Sequence, residues 1–183
     1  MTDPVQILSG GSSDDKITLI STLIDTENTD IQNLMISCLD DSDIRVRGEA
    51  FCSLMVNSHD ISIPLLEGLK SNSKNIKSAC VLLFGNRNDS RFILQIQSLV
   101  SDSNSEVRSC ALGALGRLES NDIIPILVNS FNDVDINTRK SAVWSCKLLQ
   151  YTPTSDEMIT LSQDADSDML NILKNINEPT ALI

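Results

Sequence analysis

The chain repeats itself. Arg108 opens the segment RSCALGALGRL, and 31 residues further on stands Arg139, opening RKSAVWSCKLL. Stepping back 31 residues from Arg108 reaches Lys77, a further 30 reach Arg47, and another 31 reach Lys16. The next step forward from Arg139 lands on Leu170, where the cation is lost. Self-similarity at a fixed period of this size marks stacked supersecondary units, each leaning on its neighbours. The period predicts six units, over about 1–27, 28–58, 59–88, 89–120, 121–152 and 153–183, forming one repeat domain over 1–183.

Other columns keep the register. One residue before the cation stand Val46, Ile76, Val107, Thr138 and Met169. Three after it stand Leu19, Ala50, Cys80, Ala111, Ala142 and Leu173, and seven after it Leu23, Leu54, Phe84, Leu115 and Cys146. Offsets of −1, +3 and +7 share one face of an α-helix, which we call the B helix of each unit. Four residues before the cation stand Ser12, Asp43, Ser73, Asn104, Asp135 and Asp166. All six are N-cap types, whose side-chain oxygen accepts an otherwise unpaired N–H of the first turn.

Upstream lies a second amphipathic segment, the A helix. Leu8, Leu39, Leu69, Val100 and Phe131 stand eight residues before the cation position, and Met35, Leu65, Ile96, Leu127 and Met158 twelve before it. These positions again fall on one helical face. Each unit is therefore a helix–turn–helix, and no strand is needed. The fold class expected is all-α, an α-α superhelix of about six hairpins.

The segment LVSDSNSEVRSCALGALGRLESNDIIPILVNSFNDVDINTRKSAVWSCKLL resembles HEAT-like repeats, and more narrowly the short variety first noted in phycobilin lyases. That pattern has Asp in the turn, Val-Arg opening helix B, then Ala and Leu, with ALG-L towards its end. The likeness is strong over Asp41–Met55 and Asp102–Leu149, weaker over Ser71–Phe84 where Lys77 replaces Arg, and degenerate at both ends. It implies an α-solenoid with the B helices lining a concave face. It also implies a ladder in which the cations pair with turn acids of their own or the adjacent unit.

The ladder would comprise Asp41, Arg47, Lys77, Asp102, Arg108, Asp133 and Arg139. The competing reading is a basic stripe for anions. The ladder is the stronger, because acids recur in register with the cations. The remaining turn acids, from Asp14 to Asp168, suit helix N-termini, where a carboxylate opposes the positive end of the dipole.

A net charge of −11 repels phosphate backbones and anionic membrane surfaces, so neither nucleic acid nor membrane is an expected partner. No apolar run reaches membrane-spanning length, and MTDPVQILSGGSSDDK lacks the basic n-region of a signal peptide. A cytoplasmic protein is the expectation. The five cysteines include no C-x-x-C pair and read as free thiols, mostly in the core, rather than a metal site or disulfides. His59 is the one histidine, too few for a triad or a histidine-based metal centre. No phosphate-binding glycine motif is present. No catalytic residue, metal or cofactor is assigned.

What remains is the outward side of helix B. Offsets +5 and +9 point away from the core direction and hold Cys52 and Val56, Leu82 and Asn86, Gly113 and Arg117, then Trp144 and Leu148. Trp144 is the single tryptophan, and it suits either an anchor for a bound segment or a filler between neighbouring helices. Gly113, at the equivalent position one unit earlier, leaves room beside it. The function expected is a non-catalytic scaffold or adaptor that binds a protein, with Leu82, Arg117, Lys140, Trp144 and Leu148 in contact. A basic partner stays open, as does oligomeric state, with the monomer as default. The alternative, carried by the resemblance alone, is a bilin lyase-like or chromophore-chaperone protein.

Overall fold

The computed structural model describes residues 3–118 and 121–176. Among them are twelve α-helices and several single-turn 3-10 helices. No described helix is long and apolar enough to cross a membrane. The end of the C-terminal segment NINEPTALI, an expected cap or arm, lies outside the described residues.

The chain divides into two compact units, Met1–Arg87 and Asn88–Ile183. The first holds α1 (Pro4–Gly10), α2 (Ser13–Thr22), α3 (Thr29–Ser37), α4 (Ile44–Val56), α5 (Ser62–Leu69) and α6 (Lys74–Asn86). Within it α1, α3 and α5 pack in sequence as one layer, and α2, α4 and α6 as the other. The second holds α7 (Ile93–Ser98), α8 (Ser105–Arg117), α9 (Ile124–Asn129), α10 (Ile136–Leu148), α11 (Ser155–Ser162) and α12 (Ser167–Lys174). There α10 lies between α8 and α12, with α7 against α8, α9 against α10 and α11 against α12. Odd-numbered helices are thus the A helices and even-numbered ones the B helices.

All six N-cap residues read from the sequence cap their helices. Ser12 accepts from the Asp15 N–H, Asp43 from Arg45, Ser73 from Ile76, Asn104 from Glu106 and Val107, Asp135 from Thr138, and Asp166 from Met169. The core columns are filled in the same register: Val46, Ala50 and Leu54 on α4, Val107, Ala111 and Leu115 on α8, and Ala142 and Cys146 on α10 are all buried. The A helices answer with Met35, Leu39, Leu65, Leu69, Ile96, Leu127 and Phe131.

The B helices are buried over a wider arc than one face. Offset +4 is also core (Ile20, Val81, Leu112 and Val143), and so is offset +6 (Ser53, Leu83, Ala114 and Ser145). A helix flanked on both sides by its own kind must bury its flanks as well as its base. Where α8 meets α10 the flanks carry small residues. The Ser145 hydroxyl donates to the Leu112 carbonyl at 2.8 Å, and a Cβ on Gly116 would stand 2.9 Å from Ser145 Cα. Only glycine permits that approach. Gly113, one turn earlier on the same helix, has open space where its Cβ would be.

Helix α10 ends in a left-handed residue. Gln150 has φ of 56°, the Tyr151 N–H reaches back to the Cys146 carbonyl at 2.9 Å, and the Gln150 N–H to Lys147 at 3.1 Å. This Schellman-type ending usually carries Gly at the left-handed position.

Two predictions follow from these backbone sites. Gly113→Ala raises stability by up to about 1 kcal/mol through helix propensity, whereas Gly116→Ala lowers it by roughly 1–3 kcal/mol by overpacking against Ser145; paired denaturant melts read the opposite signs. Gln150→Gly raises stability by about 0.5–1 kcal/mol, the relief of left-handed strain less the extra freedom of glycine in the unfolded chain, seen as a higher melting midpoint.

Candidate functional site

Two surfaces hold the residues singled out by sequence: the turn edge, where the B helices begin, and the outer face of the B helices.

At the turn edge the aspartate six residues before the cation does several things at once. Asp133 Oδ1 accepts the N–H of Asp135 at 2.9 Å, which shapes the turn. The same carboxylate receives both Arg108 Nε and Nη2 at 2.7 Å, a bidentate pair from the preceding repeat. Its backbone carbonyl accepts Arg139 Nη1 at 2.7 Å. Asp41 repeats the arrangement in the first unit: it accepts the Asp43 N–H at 2.8 Å and Lys16 Nζ at 2.7 Å, and its carbonyl accepts Arg47 Nη1 at 2.8 Å. Asp102 accepts the Asn104 N–H at 2.8 Å, and its carbonyl takes Arg108 Nη1 at 3.0 Å.

The rungs thus have a direction. A cation grips the carbonyl end of its own turn, and where a side-chain pair forms it reaches forward to the next turn's carboxylate. Arg47 and Arg139 differ from the simple ladder: their bonds go to the backbone carbonyls of their own turns. For Arg47 the reason is visible, since the next turn carries Ser71 instead of Asp. Ser71 Oγ still accepts the Ser73 N–H at 3.1 Å, keeping the turn shape but offering no charge. That junction is tied in the other sense, by Asn75 Nδ2 donating to Asp40 at 2.7 Å. Lys77 lies on α6 in the same column, half-buried.

Both side chains of the Arg108–Asp133 pair are only 13% exposed. Burial pushes the Asp133 carboxyl upward, but the Arg108 guanidinium and the Asp135 N–H outweigh it and hold it below the ordinary carboxylate range. Asp41 is held low by Lys16 and the Asp43 N–H. These cations are committed inside the protein, which disfavours the anion-stripe reading.

The outer face presents a different chemistry. On α10, Trp144 is 46% exposed and Leu148, one turn later, 42%. Lys147 Nζ stands 5.5 Å from the Trp144 ring centroid and donates to the Asn175 carbonyl at 2.8 Å. Trp144 is therefore not a buried filler. Gly113 and Arg117 hold the equivalent positions on neighbouring α8, and Arg117 is exposed. On α4, Ile44, Cys52 and Val56 form an exposed line of their own.

Residues 61–147 match the family model for HEAT repeats. This is a HEAT-like repeat protein. No curated protein matches the chain. The matched span runs from the start of α5 almost to the end of α10, and HEAT repeats commonly mediate protein–protein interaction.

Four of the five contact residues expected for this HEAT-like protein lie in the second unit. Leu82 lies in the first, half-buried on α6. Lys140 needs correction as a partner contact. Its side chain is 15% exposed, and Nζ is paired with Asp166 at 2.7 Å and Asp168 at 3.5 Å, so it acts as a further rung between α10 and α12. Arg117, Trp144 and Leu148 remain on the open face.

Sequence reasoning passed over Arg87. Its guanidinium donates to the carbonyls of Leu54, Met55, Asn57 and His59 at 2.7–3.2 Å, closing the C-terminal end of α4. The signal was present, a cation 31 residues after Val56, but without a matching column to mark it. The thiols divide by burial: Cys38, Cys80 and Cys146 are buried, Cys110 half-buried and Cys52 exposed. Burial pushes Cys80 and Cys146 up to about 12, so they stay protonated and inert.

Asp133→Ala removes three partners at once and lowers stability by about 2–4 kcal/mol, between exposed and fully buried ion pairs. Because the folded-state carboxyl titrates lower than the unfolded one, its contribution is complete above about pH 5 and is lost as pH falls through the native value. Asp133→Asn therefore melts lower than wild type at neutral pH, and the difference shrinks in acid; equality of the two at neutral pH would contradict the rung.

Proposed function

We propose that this HEAT-like protein is a non-catalytic adaptor that holds a partner protein on the outer face of its B helices. The observation that carries this is the pairing of Trp144 and Leu148, a large aromatic and a branched aliphatic residue one turn apart, both nearly half exposed on a helix whose core positions are already filled. Aromatic anchors of this kind carry a large share of binding energy when a partner covers them. Arg117 on α8 and the open space at Gly113 extend the surface sideways, so a bound side chain has room to lie beside the indole. The turn edge serves a different purpose, since its cations are spent on repeat-to-repeat ties.

The experiment is capture from the native cell with the wild-type protein and with Trp144→Ala/Leu148→Ala. Both side chains are surface groups, so the double variant keeps its fold and changes stability by about 1 kcal/mol or less. Partner capture falls by roughly tenfold or more if these residues are anchors. Undiminished capture rejects the face. A visible absorbance shift on mixing with free bilins, unaffected by the double substitution, would favour the chromophore-handling alternative instead.

A further inference from the structure

The sign of the charge around Trp144 is opposite to that of the chain. Helices α8 and α10 are tied at their N-terminal ends by Arg108–Asp133, and α10 and α12 by Lys140–Asp166. Their C-terminal ends therefore also lie side by side, and Lys147 bonding to the Asn175 carbonyl joins two of them directly. Each of these three helices carries a cation in its last turn: Arg117, Lys147 and Lys174. The carboxylates they carry, Glu106 and Asp168, sit in first turns, at the far end. In a chain of net charge −11 this is a local reversal.

Compensation of the helix dipole gives one reason to place cations at C-terminal turns. It does not account for the pattern here. The B helices of the first unit, α2, α4 and α6, have the same dipoles and no basic residue in their last turns. The cations occur where the exposed Trp144 and Leu148 are. An apolar pair framed by positive charge fits a ligand with an apolar anchor flanked by carboxylates, since complementary charge steers encounter and fixes register while the apolar contact supplies affinity.

We propose that the outer surface of α8, α10 and α12 binds an acidic polypeptide segment carrying a large apolar side chain, the anchor seated on Trp144 and Leu148 and the carboxylates facing Arg117, Lys147 and Lys174. This rests on the reading of that surface as a partner-binding face and narrows it to a class. It also replaces the whole-chain expectation of a basic partner, because charge is read locally, within about a Debye length.

The test uses three short labelled peptides against the full chain: one alternating Asp/Glu with Leu/Phe, one with Lys in place of the acids, and one with Ser in place of Leu/Phe. Binding is read by anisotropy and by the emission of Trp144, the single tryptophan. The acidic apolar peptide binds saturably and shifts the emission to the blue. It weakens by roughly threefold or more between about 10 and about 150 mM salt, as the Debye length shortens. Arg117→Glu/Lys174→Glu weakens it by roughly tenfold and improves the Lys peptide. Should the reversed pair fail to fold, Arg117→Gln/Lys174→Gln gives a smaller loss in the same direction. Equal or tighter binding of the Lys peptide to wild type, or indifference of the acidic peptide to both charge variants, overturns the acidic class. Native-partner capture separates the two levels. Loss in Trp144→Ala/Leu148→Ala with retention in the charge variants leaves the adaptor reading standing without this one; retention in all variants removes both.

Discussion

A carboxylate such as that of Asp133 sits where three constraints meet. It shapes the turn through the Asp135 N–H, accepts the guanidinium of the preceding repeat, and its own carbonyl holds Arg139. A helical hairpin of this size encloses no core of its own and gains stability only against a neighbour. Apolar packing supplies most of that energy but is tolerant of sliding. A short, charge-assisted, two-pronged bond is not tolerant. The turn acid therefore converts a loosely directional attraction into a fixed register, and Asp41 does the same for Lys16 and Arg47 in the first unit.

Fixing the B helices at one edge leaves their outer faces free to differ. The positions that define the repeat are spent on caps, rungs and core. The +5 position is not, and it varies from Cys52 to Leu82, Gly113 and Trp144. Within the second unit the close approach of α8 and α10 at Gly116 and Ser145 sets those neighbouring faces at short range. What the surface does is written in residues that the fold does not need.

Most of the architecture was legible because its signals are periodic. N-caps, turn acids and the −1, +3 and +7 columns recur, and recurrence separates them from chance. The buried +4 and +6 columns were missed for a physical reason: a one-faced helical template does not anticipate a helix flanked on both sides, and Ser53, Ala114 and Ser145 carry little hydrophobic signal. Lys140 was misread because its column holds Gly48, Ser78 and Ser109 elsewhere, so nothing announced its pairing with Asp166. The two glycines of ALGALG look alike in sequence, yet only Gly116 is required by its neighbour. For the outer face, sequence gave the direction of Trp144 and Leu148 but not their exposure, which depends on what the adjacent helices leave uncovered.

The forward sense of the Lys16–Asp41 and Arg108–Asp133 rungs makes the two extremities chemically unlike. At the cation column Leu170 has nothing to give, and at the turn-acid column Gly10 has nothing to receive. Grafting an extra hairpin onto either extremity by the same linkage would require a lysine or arginine installed at 170, or an aspartate at 10. Polarity of this kind is a built-in valence, and it distinguishes a head from a tail in a molecule whose modules otherwise look interchangeable.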